Sequence, residues 1–149
     1  MAVTFDAVAT SAPALGTSDS FSHTCTGTDR VLYYSAHWNN DPGTITAPTY
    51  AAVTMTEIAS VSAGSALHKV YRLVNPTSGA NTLAISWVTS RNIVSIAISV
   101  AGAHQTTPEG TPVTEESGDE SISVVSTSNG LLVDFINQGG TTDLAASAP

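Results

Sequence analysis

Ile93-Val94-Ser95-Ile96-Ala97-Ile98-Ser99-Val100 decides the fold class. Val94, Ile96, Ile98 and Val100 fall on every second position, with Ser95, Ala97 and Ser99 between them. Successive side chains of an extended strand point to opposite faces, so this alternation predicts a β-strand with one apolar face, set in the middle of a sheet. An amphipathic helix would instead place its apolar residues at spacings of about three and four.

The same rhythm spreads outward in both directions. Leu83, Ile85 and Trp87 mark a further strand upstream. Ala66 to Val74 alternates Leu67, Lys69, Tyr71 and Leu73 with His68, Val70, Arg72 and Val74, which predicts one core face and one mixed face, and Asn75-Pro76-Thr77-Ser78-Gly79 ends it. Thr44 to Val61 reads as one or two strands, and Arg30 to Trp38 as a strand rich in aromatic residues. Phe21, His23 and Cys25 share a face of another. Asn39-Asn40-Asp41-Pro42-Gly43 is the strongest turn signal, because Asn and Asp tolerate left-handed backbone, Pro fixes φ and Gly permits positive φ. Beyond the opening stretch, Gly102 to Thr114 reads as loop and Glu115 to Glu120 as an acidic turn. Ser121 to Ser126 and Leu131 to Ile136 read as strands. Turn signals recur at intervals of about 8–12 residues, the spacing of an all-β sandwich or barrel, and the count comes to about nine strands with no helix. Three regions follow: an N-terminal strand or arm over 1–16, a β-domain over 17–137 and an extended tail over 138–149.

The chain of 149 residues is long enough for one domain with a real core. Charged residues make up 11%, against about 25% in an ordinary domain, so hydroxyls, small side chains or other subunits must cover much of the surface. Twelve acidic residues oppose four basic ones, for a net charge of -8, and a nucleic acid would be repelled. The start, Met-Ala-Val-Thr-Phe-Asp, carries neither the basic nor the apolar segment of a signal peptide, which predicts no Sec export. The apolar run from Ile93 to Ala103 is shorter than the roughly 20 residues a membrane helix needs, so no membrane partner is expected.

Few residues suggest chemistry. There is no Gly-x-Ser-x-Gly motif, and a hydrolase would need a buried His bonded to a Ser or Asp. His23 and Cys25 point the same way from one strand but lack a second ligand pair, so they are read as core, and Cys25, the single cysteine, forms no internal disulfide. No metal and no cofactor is expected, and no catalytic residue is assigned. Trp38, Asn39, Asn40 and Asp41 form the candidate ligand loop, suited by its ring, amides, carboxylate and backbone carbonyls to a sugar or a Ca²⁺ ion, though turn chemistry alone explains the same residues. His104 reads as a residue that orders its own loop.

Five blocks occur in a recurring order: Ser20-Phe21-Ser22-His23-Thr24, Trp38-Asn39-Asn40-Asp41-Pro42-Gly43, Tyr71-Arg72-Leu73-Val74-Asn75-Pro76, Val100-Ala101-Gly102-Ala103-His104-Gln105-Thr106-Thr107-Pro108 and Asn129-Gly130-Leu131-Leu132-Val133-Asp134. Together they resemble compact β-sandwich modules of bacteriophage virion proteins and bacterial surface proteins. The resemblance implies an antiparallel, jelly-roll-like β-sandwich with extended terminal arms, used for assembly or adhesion and not for catalysis. Such modules usually continue past the equivalent of Leu131 to Ile136 into a closing strand, which predicts that a partner completes the sheet or that the sheet closes differently. The function expected is that of a phage capsid decoration protein, forming homo-oligomers and contacting the major capsid protein at the capsid surface. Val3, Phe5 and Leu15 at one end and Leu144 at the other are the expected intersubunit anchors. The alternative is a carbohydrate-binding or adhesive module of a tail fibre or cell surface, acting through the Trp38 to Asp41 loop.

Overall fold

The computed structural model describes residues 2–12, 14–114 and 130–135. Among these residues there are eight strands and no helix: β1 (Thr4–Thr10), β2 (Ala14–Cys25), β3 (Val31–Trp38), β4 (Ile45–Tyr50), β5 (Val53–Thr54), β6 (Thr56–Ala63), β7 (Ala66–Val74) and β8 (Gly79–Ala101). All join one antiparallel sheet in the order β5-β4-β8-β3-β7-β6, with β1 and β2 along the other edge of β8. The sheet curls until it is nearly closed, like a barrel. A single continuous sheet replaces the two separate layers that a sandwich reading implies.

β8 is the axis of this arrangement. Its first half bonds β2 on one edge and β4 on the other, and its second half bonds β1 and β3. The two strands expected around Leu83–Trp87 and Val94–Val100 are therefore one strand of 23 residues. Ser90-Arg91-Asn92 contains neither Gly nor Pro, so nothing in it breaks the extended backbone. Against β2 the extra residues lie on β8 itself, which advances from Arg91 opposite Gly16 to Ser86 opposite Ser18, whereas against β4 the extra residue lies on β4, between Thr46 and Thr49. In β4 the slip includes Pro48, which has no N–H to give to the ladder. Residues 4–10 are not a free arm, because β1 pairs with β8 from Thr4 opposite Ala101 to Thr10 opposite Ile96. The segment 130–135 forms no strand. The expected acidic turn at Glu115–Glu120, the strand at Ser121–Ser126, and Leu144 with its tail lie outside the described residues.

The direction in which β8 faces follows from side-chain volume. Its small residues Ser95, Ala97 and Ser99 point into the barrel and are buried, while Val94, Ile96 and Ile98 point outward. The interior is filled by rings from β3 and β7. Tyr34 lies directly opposite Ala97, stacks on Tyr71 at 6.1 Å and shares a hydrogen bond of 2.9 Å with Ser95. Large residues at 95, 97 and 99 would collide with those rings, and dense interiors do not absorb such additions. At the other end of the interior Trp38 meets Trp87 edge to face at 5.7 Å.

β3 is buried on both of its faces. Its outward residues Val31 and Tyr33 are covered by Ala103 and by Val133 and Phe135 of the 130–135 segment. Glu109 fastens the loop after β8 to the same face, accepting a hydrogen bond of 3.2 Å from the Tyr33 hydroxyl and pairing with Arg72 of β7. The end of β8 is in turn tied to the turn between β2 and β3, where Gly102 and Ala103 donate to the carbonyls of Thr28 and Asp29. Gly27 in that turn has φ +74°, and a Cβ there would lie 2.9 Å from the Ala101 Cβ. Gly27→Ala should therefore lower stability by about 1–2 kcal/mol for the left-handed backbone alone, with the Ala101 collision in addition, as read by urea unfolding.

Candidate functional site

Three places gather polar or exposed apolar groups: an internal Asp–Ser–His cluster, an open seam with its neighbouring loop, and the outward face of β1 and β8. The internal cluster forms where β1, β2 and β8 meet. A bulge between Phe5 and Ala7 turns Asp6 inward, and its carboxylate accepts from the Ser99 hydroxyl at 2.7 Å and from the Thr26 amide at 2.8 Å, with a further bond from the Thr26 hydroxyl. His23 Nε2 lies 3.0 Å from the same Ser99 oxygen. The contact that a hydrolase requires is thus present, but its order is different. A catalytic triad places the imidazole between carboxylate and hydroxyl, so that the imidazole can take the hydroxyl proton. Here Ser99 stands in the middle.

Ser99 has one proton and donates it to Asp6, so it accepts from His23, whose Nε2 must carry hydrogen. An imidazole holding that proton cannot serve as the base for Ser99. The hydroxyl is also fully buried, at 0% exposure, and has no opening toward a substrate. Burial lowers the basicity of His23 against the pull of Asp6. Burial also opposes the charge on Asp6, but the bonds from Thr26 and Ser99 and the nearby imidazole outweigh it and hold the carboxyl below its ordinary value. The cluster acts as a clasp joining three strands. Cys25 beside it is buried, and burial pushes its thiol up, away from the reactive thiolate. No group of three metal-ligating side chains occurs among the described residues.

The seam lies where β4 and β6 face each other without pairing. It holds a cavity of about 260 Å³ lined by Ile45, Ala47, Glu57, Leu67, Lys69 and Tyr71. Lys69 and Glu57 bridge at 2.8 Å across its floor. The loop after β3 stands nearby, with Asn39, Asn40 and Asp41 exposed. Asp41 accepts from the Gly43 amide at 2.8 Å, and Arg91 holds the Asp41 carbonyl at 3.0 Å, which is ordinary turn chemistry. Trp38 is fully buried in the barrel, so its ring is not available as a platform for a sugar. His104 orders its loop as expected, with Nδ1 accepting from the Thr107 amide at 3.1 Å.

The exposed apolar groups gather elsewhere. In the register of β1 against β8, Phe5 lies opposite Val100 and Val8 opposite Ile98, all on the outer face. Phe5 is 57% exposed, Val8 54% and Val94 47%, with Ile96 and Ile98 half-buried between them. Leu15, opposite Asn92, continues the outer face onto β2 and is 70% exposed. Val3 differs from its neighbours: it is half-buried and packs on Val31, Tyr33 and Val100. The sequence marks Phe5 and Leu15 as candidates but misses Val8 and Val94, because the outward direction of β8 is set by the rings on β3 and β7.

Comparison with protein-family models, with curated proteins and with solved structures finds no match for this chain.

Proposed function

We propose that the protein is a non-enzymatic structural component of a virion, specifically a bacteriophage capsid decoration protein. It docks on the shell and on copies of itself through the outward stripe of Phe5, Val8, Ile98, Ile96 and Val94. That stripe is the observation that carries the reading. Large apolar residues exposed side by side on a regular sheet mark an interaction surface, whereas single exposed ones do not. The Ser99 hydroxyl is held between the Asp6 carboxylate and the His23 imidazole, so the clasp of Asp6, Ser99 and His23 presents no nucleophile. The block resemblance to phage virion modules supports the finer assignment. Leu15 extends the contact along β2, and Leu144 is a further anchor from the tail.

The stripe is tested by a Phe5→Asp, Val8→Asp double variant added to decoration-free shells. Both side chains are more than half exposed, so the unfolding midpoint should hold to within about 0.5 kcal/mol. Shell occupancy should fall at least about tenfold, the equivalent of about 1.4 kcal/mol of lost contact. Unchanged occupancy would remove the stripe as the docking surface. Deleting residues 1–15 is the poorer test, since it strips β1 from the sheet.

A further inference from the structure

On the outer face of the sheet, bordering the Val94 and Ile96 end of the stripe, two imidazoles meet beneath a cover. His37 of β3 and His68 of β7 are direct cross-strand partners, with ring centroids 5.9 Å apart and edge to face. His68 Nε2 lies 2.6 Å from the Ser35 hydroxyl. His37 Nδ1 is buried and has no hydrogen-bond partner. Both rings line a cavity of about 110 Å³ that is walled by Val94 and Ile96 of β8 and closed by Asp134 and Phe135. We propose that His37 and His68 form an acid-sensitive latch under the 130–135 segment, so that proton uptake by the pair lifts Val133 and Phe135 off the sheet and bares Ser35 and Ile96.

The charges around the pair decide the direction. β3 contributes His37 and β7 contributes His68, while β8 places only Val94 and Ile96 against them and β6 sets Val61 opposite His68. Among the described residues the one carboxylate lining the cavity is Asp134 of the covering segment. Arg72 and Glu109, farther along the same face, are occupied with each other. A first proton on the pair is therefore opposed by desolvation and met by one exposed carboxylate. A second is opposed by the first as well, since like charges this close cannot both be stabilised.

Burial, and then the neighbouring His37, bring His68 down to about 4 from its ordinary 6.5, and burial lowers His37. An imidazole whose covered form resists protonation makes the cover stable above its free value. That stability is lost as pH falls from about 6.5 toward 4. Within this window the uncovered form binds more protons and gains population. Between about pH 7.5 and about pH 4.5, His68 alone shifts the balance on the order of 50–100-fold toward the open form.

Hydrogen exchange of the full chain, read by mass spectrometry at these two pH values and corrected for intrinsic exchange, tests the latch. Protection of the 130–135 segment should fall by that factor at the lower pH, while β3, β7 and β8 stay protected. In a His37→Asn, His68→Gln double variant the segment should keep the same protection at both values. If that variant misfolds, the single His68→Gln variant replaces it and should lose most of the pH response. Constant protection of 130–135 in the native chain would overturn the proposal. So would an equal loss in the variants, or a loss that spreads to the strands at the same pH.

Discussion

Trp38→Ala should cost about 3–5 kcal/mol, a large share of the about 5–15 kcal/mol that holds an ordinary domain together, because a deleted buried indole takes its transfer energy with it and leaves a cavity. Trp38 has no exposed surface and lies against Trp87. Its strand is covered on both faces, so no solvent-facing loop can relax into the space. Urea unfolding followed by far-ultraviolet circular dichroism measures the loss. A stable variant would mean that the ring lies at the surface and would return Trp38 to a ligand-binding role. By contrast, Asn39→Ala or Asn40→Ala, in the exposed turn that follows, should change stability by no more than about 0.5 kcal/mol.

The second large effect is expected at Ser99. Ser99→Ala removes the oxygen that accepts from His23 and the hydroxyl that donates to Asp6. The buried His23 is left without its partner and the partly exposed Asp6 keeps only its two bonds from Thr26, at a cost of about 1–3 kcal/mol. The clasp also has a pH signature. The Asp6 carboxyl is held below its ordinary 3.8 in the folded protein, so its charge contributes stability above that value. The contribution disappears as pH falls through the lowered folded value. Native protein should therefore lose stability below about pH 4, and Asp6→Asn should flatten that part of the profile. A Ser99→Ala protein as stable as the parent would show that the three strands do not depend on this clasp.

How much of this is legible in the chain depends on the range of the contacts involved. The alternation of Ile93 to Val100 is local, and it correctly implies an antiparallel β-protein with this strand at its centre. Which side of β8 faces inward is not local. It depends on the bulk that Tyr34, Trp38 and Tyr71 bring across two other strands, and a reader of Val94 to Val100 alone would bury the wrong face. The joining of two expected strands into β8 is likewise decided by partners, since β2 pairs with it on both sides of the stretch between Ser86 and Arg91. Asp6 and Ser99 are 93 positions apart in sequence and meet only because β1 bulges beside β8. His37 and His68 become partners through the register of β3 on β7, and no spacing rule links them. Phe5 and Leu15 were visible as apolar residues in a polar setting. Their neighbours Val8 and Val94 read as ordinary core positions until the outer face is known.

The proposed docking surface is the outer face of β1 and β8, carried by Phe5, Val8 and Val94. Hydroxyl-radical footprinting of the free protein, compared with the same protein on assembled particles, tests this directly. Phe5, Val8, Leu15 and Val94 should lose most of their labelling on the particle, while Val53, exposed on the edge strand β5, keeps its own. Equal labelling of Phe5 and Val8 in the two states, or protection confined to Asn39, Asn40 and Asp41, would contradict it.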